Sequence, residues 1–131
     1  MKNNVLAQQQ NGTDRQSQDK AILIVAPNGA RKGKKDHQNL PITASEVAED
    51  AKLCLAAGAT MIHAHARKSD GSHSLEIDDN RRYYDTLKEA VQDRLVIQLT
   101  TEAVGIYPIA QQMAMVKAVK PEAVSMALRE F

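Results

Sequence analysis

Two hydrophobic periods alternate along the chain, which predicts an α/β fold of about four parallel strands and three helices in the order β-α-β-α-β-α-β. Three observations carry that expectation. Short apolar runs bounded by Gly, Pro and Asn recur between longer amphipathic stretches, and helix-start signals stand where those stretches begin. Strands that alternate with helices also call for right-handed crossovers in a parallel sheet. Length sets a limit on the architecture. The 131 residues suffice for one small domain, whereas a complete (β/α)8 barrel needs at least ~200.

Residues 1–20 are expected to form a disordered polar arm. Gln8 to Lys20 holds no large apolar residue and cannot bury enough surface to offset its ordering entropy. The domain is expected over residues 21–131. Ala21 to Ala26 is an unbroken apolar run, as in a strand covered on both faces, and Pro27, Asn28 and Gly29 stop it. A basic loop from Arg31 to Lys35 follows. Thr43-Ala44-Ser45-Glu46 then has capping-box spacing, so the first helix should start at Thr43. Val47, Ala51 and Leu55 recur along it, and Gly58 suits its C-terminal end. The second strand is expected at Thr60 to Arg67. A helix from about Asp78 should follow, with Tyr84, Leu87 and Val91 on one face. Leu95 to Thr100 reads as the third strand. Pro108 suits the first turn of a third helix carrying Ile109, Met113 and Val116, which Pro121 ends before a fourth strand at Ala123 to Leu128.

Composition narrows the function classes. Seventeen Lys and Arg against sixteen Asp and Glu give a net charge of +1, so nothing argues for nucleic acid or an anionic membrane as partner. No apolar run approaches the ~20 residues of a membrane span, and no signal-peptide pattern opens the chain. The single Cys54 excludes an internal disulfide framework, and a cytoplasmic location is the expectation. Only 3% of residues are aromatic, so the core must come from Ala, Val, Ile, Leu and Met, including Met113, Met115 and Met126.

The chemistry concentrates at strand ends. In Met61-Ile62-His63-Ala64-His65-Ala66-Arg67, residues two apart share a face. His63 and His65 therefore project together, while Ile62, Ala64 and Ala66 suit packing under helices. Two imidazoles on one face near a strand's C-terminal end either chelate one divalent metal with a third ligand from elsewhere, or form a hydrogen-bonded polar pair. Arg67 either binds a carboxylate or phosphate or makes an ordinary ion pair. On the third strand, Leu95, Ile97 and Leu99 share one face, and Gln98 and Thr100 share the other with Val96. Thr100 and Thr101 at the rim offer hydroxyls to a substrate or cap the loop, and Glu102 is expected to be solvated. Asn28 and Arg31 leave the first strand at the same rim. His37 and His73 fall in loops and are expected to be solvated.

These landmarks together resemble the beta-keto acid cleavage enzyme family. Ala26 to Arg31, Leu40 to Thr43, and Ala57-Gly58-Ala59 leading into His63-Ala64-His65-Ala66-Arg67 stand in one order. Asp70-Gly71, Ile97 to Thr101, and Lys120 to Ser125 continue it, so the resemblance spans Ala21 to Phe131. It implies a partial (β/α)8 TIM barrel, the N-terminal half only, from a homo-oligomeric enzyme. It also implies Zn2+ or another divalent metal on His63 and His65, and Arg67 as a catalytic residue stabilising negative charge. Asn28, Arg31, Thr100 and Thr101 would be substrate-binding. The implied reaction exchanges a beta-keto acid with acetyl-CoA to give acetoacetate and a new acyl-CoA, within amino-acid catabolism.

The sequence departs from the family pattern at three places. Thr101-Glu102-Ala103 replaces a Thr-Gly-Gly, Arg31 stands where some members carry an acidic residue, and Ala127 to Glu130 replaces an Asn-containing segment. Arg31 favours a substrate without a cationic amino group. The third metal ligand and further catalytic groups of the family lie on later strands, which this sequence lacks. A truncated, non-catalytic half-barrel with at most partial metal binding is therefore the alternative, and a different His-x-His metallohydrolase is a third.

Overall fold

The computed structural model describes residues 21–130, so the expected polar arm at 1–20 and Phe131 lie outside the described residues. Four strands, β1 (Ile24–Val25), β2 (Met61–Ala64), β3 (Val96–Thr100) and β4 (Ala123–Ser125), alternate with α1 (Ala44–Ala56), α2 (Ile77–Val91) and α3 (Ile109–Val119). Every strand pair is parallel, and spatial order equals chain order, β1-β2-β3-β4. This is the singly wound arrangement of a barrel wall; a doubly wound sheet would reverse its order at a switch point. The α/β class with four parallel strands and three helices is as the sequence predicts.

Local chemistry sets the helix ends. Thr43 caps α1 by accepting from the Glu46 N–H, and Glu46 reaches back to the Thr43 N–H at 2.9 Å, the reciprocal capping box. Gly58, just past α1, takes φ +99°, a conformation that a Cβ would strain. Pro108 caps α3, and Lys120 closes it in the left-handed region before Pro121.

The core lies between the sheet and the helices. Ile62, Ala64, Ile97 and Leu99 from the strands are fully buried with Val47 and Ala51 of α1, Tyr83, Leu87 and Val91 of α2, and Met115 of α3. The Tyr83 hydroxyl, whose pKa burial raises to about 12, donates to the Ile42 carbonyl.

Several expectations are corrected. β1 is shorter than Ala21 to Ala26 and is not covered on both faces: Ile22, Leu23 and Ile24 are each more than half exposed, because an edge strand has a neighbour on one side only. β2 stops at Ala64, since beyond it Asn28 and Arg67 take over the pairing described below. β4 stops at Ser125, and Leu128 to Glu130 forms a single 3-10 turn. On α2 the inward aromatic is Tyr83, with Tyr84 half-buried, because Asn80, Tyr83, Leu87 and Val91 form the stripe that meets the core. Met113 and Met126 are about half exposed, and only Met115 of the three methionines is core.

Candidate functional site

The sheet face away from the helices carries the polar residues. Strand register aligns Met61 with Val96, and His63 with Gln98 and Ala123, while Thr100 lies beside Ser125. Residues level with one another in a parallel sheet share a face, so an apolar lower layer gives way to a polar upper layer toward the C-terminal ends.

His63 and His65 converge. Their Nε2 atoms lie 2.9 Å apart, with the rings edge to face. His63 Nδ1 sits 2.8 Å from Gln98 Oε1, an acceptor, so Nδ1 donates to it, and in the neutral ring that tautomer leaves the Nε2 lone pair facing His65. His65 Nδ1 is buried without a hydrogen-bond partner, and Glu102 Oε2 stands 3.6 Å from it. Burial first, then the neighbouring His63, His73 and Arg67, holds the His65 pKa down at about 3, so the ring is neutral at physiological pH.

This arrangement discriminates between the two tautomers of His65. With its proton on Nε2, the ring donates to His63, and its bare Nδ1 lone pair faces a carboxylate. With its proton on Nδ1, that N–H points toward Glu102, and two lone pairs meet at 2.9 Å. The second arrangement is what one bound cation would favour: bonds of ~2.1 Å from each nitrogen span the gap, and each ring's other nitrogen is turned to an acceptor. Among the described residues, no group of three or more His, Cys, Asp or Glu side chains gathers round a common point, so the described residues offer two nitrogens.

Asn28 positions the pair. β1 has ended at Val25, yet the Asn28 carboxamide donates to the His65 carbonyl at 2.8 Å and accepts from the His65 N–H at 3.1 Å. It stands in for the missing strand backbone and fixes His65 one residue beyond the end of β2. Arg67 is buried. Its Nε and Nη2 donate to the Gly29 carbonyl, Nη2 also to the Lys32 carbonyl, and Nη1 to the Gly71 carbonyl at 2.6 Å. Gly29 has φ +65°, which turns its carbonyl into the guanidinium's reach at a position where other residues would be strained. The Arg67 side chain thus ties the loops after β1 and β2 together.

At the end of β3, Thr100 Oγ1 accepts from the Glu102 N–H and from Ser125 Oγ, which leaves its own proton available to donate. Thr101 is buried and donates its hydroxyl to the Ser125 carbonyl. Arg31 is 79% exposed and lies 3.9 Å from Glu102.

Two residues read as solvated belong to this cluster. His73 is buried: its ring lies 5.5 Å from His65, and its Nε2 donates to the Glu102 carbonyl. The Asp70-Gly71 turn reverses the chain so that His73 bridges back to Arg67, a return the turn dipeptide signals but whose register it does not set. Glu102 is partly covered between His65 and Arg31 because Thr100 caps its backbone and turns the loop over the strand ends. His37 is exposed, as expected.

Comparison with known proteins bears on this site. A family model described as beta-keto acid cleavage enzyme matches residues 20–131. The 3-keto-5-aminohexanoate cleavage enzyme of Acetoanaerobium sticklandii is 34% identical over 88 residues, covering 67% of this chain and 32% of that protein. The 3-oxoadipate:acetyl-CoA acetyltransferase of Cupriavidus necator is 35% identical over 68 residues, 52% of this chain and 24% of that protein. Among solved structures, the apo structure of ObcA aligns with a TM-score of 0.42 at 20% identity, over 48% of this chain and 16% of that one. The matches span about a third or less of the curated relatives' length. The match over all the described residues places this chain in the beta-keto acid cleavage enzyme family.

Proposed function

We propose that this chain supplies the metal-binding part of a site that cleaves a beta-keto acid in exchange with acetyl-CoA, giving acetoacetate and a new acyl-CoA. The observation that carries the reading is the convergence of His63 and His65 Nε2, with Gln98 and Glu102 standing at the two outer ring nitrogens. A divalent ion held there, zinc above all, would act as a Lewis acid on the substrate's keto group.

The chain's own residues do the rest. Gln98 locks the His63 tautomer, Asn28 sets the His65 backbone, and burial keeps the His65 ring unprotonated and ready to bind. Thr100 has a hydroxyl proton to offer a substrate carbonyl or carboxylate at the same rim. Arg67 brings a buried positive charge beside the pair through its backbone anchors, in a position to favour a substrate anion. Arg31, near the rim and cationic, favours an anionic or neutral keto acid over an amino-bearing one. The names of the relatives support the general chemistry: one acts on 3-keto-5-aminohexanoate, and the other is an acetyl-CoA acetyltransferase.

A second reading has its own observation. Two nitrogens are fewer than the three protein ligands of a catalytic zinc, so the described residues alone favour partial metal binding without turnover. Metal content and turnover of the purified chain separate the two. Stoichiometric zinc that His63→Ala removes, with acetyl-CoA-dependent loss of a beta-keto acid, supports the first reading. Zinc lost on simple dialysis, with no turnover, supports the second. Faster turnover of an amino-bearing keto acid than of an aliphatic one would overturn the role given to Arg31.

A further inference from the structure

A second feature lies outside the histidine cluster. A cavity of about 570 Å³ opens between the basic loop after β1, the first turn of α1 and the turn after β2, with Arg31, Lys32, Lys35, Thr43, Arg67 and Ser69 among its walls. That volume is in the range of small-molecule sites. Its charges are unequal in availability. The acidic side chains are already engaged: Asp36 accepts from the Gly33 N–H, Asp70 from Ser72, and Glu46 from Lys34 and two backbone N–H groups. Among the described residues, Lys32 and Lys35 have no carboxylate partner.

Beneath them lies Arg67, 3% exposed, whose guanidinium bonds only to carbonyls and has no carboxylate within ion-pair distance among the described residues. A buried cation with no carboxylate in contact, and with Glu102 acting on it only at longer range, adds positive potential to a cavity whose basic side chains outnumber its acidic ones. The same guanidinium holds the Lys32 carbonyl at 2.9 Å, so the loop that presents the lysines is pinned before any ligand arrives. Arg31 links this cavity to the histidine pair, since it lines one and approaches Glu102 at the other.

We propose that this cavity binds the phosphate groups of the CoA thioester, with Lys32 and Lys35 as the contacting cations. The inference rests on the acetyl-CoA reading given above and adds where that co-substrate is held. A CoA thioester is polyanionic at one end and reactive at the other, and the cavity is cationic and shares a wall with the site that would receive the acyl group.

The test is titration of the full chain with CoA, dephospho-CoA and inorganic phosphate, on the wild type and on a Lys32→Ala, Lys35→Ala variant. Both lysines are exposed, and matched melting curves check that the variant folds. The expected result is tighter binding of CoA than of dephospho-CoA. The variant should weaken CoA by about ten-fold, and by more at low salt. CoA affinity unchanged in the variant would overturn the inference and leave the acetyl-CoA reading standing. Inorganic phosphate binding as tightly as CoA would reduce the cavity to a simple anion site and likewise overturn it. No CoA binding by the wild type would overturn both together.

Discussion

The two faces of the sheet, made from alternate residues of the same strands, have opposite characters. Ile62, Ala64, Ile97 and Leu99 are fully buried under the helices. Their immediate chain neighbours Met61, His63, Val96 and Gln98 stay half-buried or exposed on the other side, where the polar layer forms. One face supplies the burial that holds the domain together, and the other is thereby free to carry groups that a core would not tolerate. Adjacent residues should therefore respond to substitution in unrelated ways.

The largest effect comes from testing neighbours on β3. Leu99→Ala empties a fully buried position and should destabilise the chain by about 3 kcal/mol, read as a lowered denaturation midpoint. Gln98→Ala, one residue away, should leave that midpoint within about 0.5 kcal/mol yet weaken zinc affinity by about 10–100-fold, because the His63 tautomer loses its acceptor. Equal stability losses at the two positions would erase the distinction between the faces.

Asn28→Ala tests where the faces depend on each other. It leaves the His65 N–H and carbonyl without partners at a buried position and should cost about 2 kcal/mol. Zinc affinity should fall as well, since His65 loses its backbone anchor. A stability loss with metal binding intact would show that Asn28 serves only the loop.

The smallest effect is on the helix side. Thr43→Ala removes the α1 cap, with an expected cost of about 1 kcal/mol and no change in metal binding. Its partner Glu46 titrates accordingly. Hydrogen bonding to Lys34 and to the Thr43 and Ile42 N–H groups lowers its pKa from 4.5 to about 2. That contribution is complete above pH 4.5 and drains away as pH falls toward 2. It is modest because the carboxylate is open to solvent. Glu46→Gln should flatten the melting temperature across that window; an unchanged acid limb would remove Glu46 as its cause.

Much of the site was legible in the sequence. The His-x-His spacing places both rings on one face by strand geometry alone, and the alternation around Ile97 assigns Gln98 and Thr100 to that face. His73, expected to be solvated, is buried, and Glu102 is partly covered, for a common reason. Both sit in loops, and a loop residue's burial depends on which segment folds over it, which no local period encodes. Arg67 was legible as a cation at the rim, but its engagement with the Gly29, Lys32 and Gly71 carbonyls depends on two loops meeting in space.

By itself, the sequence determined the alternation of strands and helices, the α1 capping box and the shared face of His63 and His65. These follow from periods of two and 3.6 residues and from contacts between residues three or four apart. Only the tertiary structure decided that Asn28 completes the pairing at His65, that Glu102 and His73 close around it, and that Arg67 lies buried beneath the basic loop after β1. Those contacts join residues 29 to 38 positions apart, together with a turn whose register no local signal sets. Their partners are chosen by how the sheet stacks its strand ends, which makes them a property of packing.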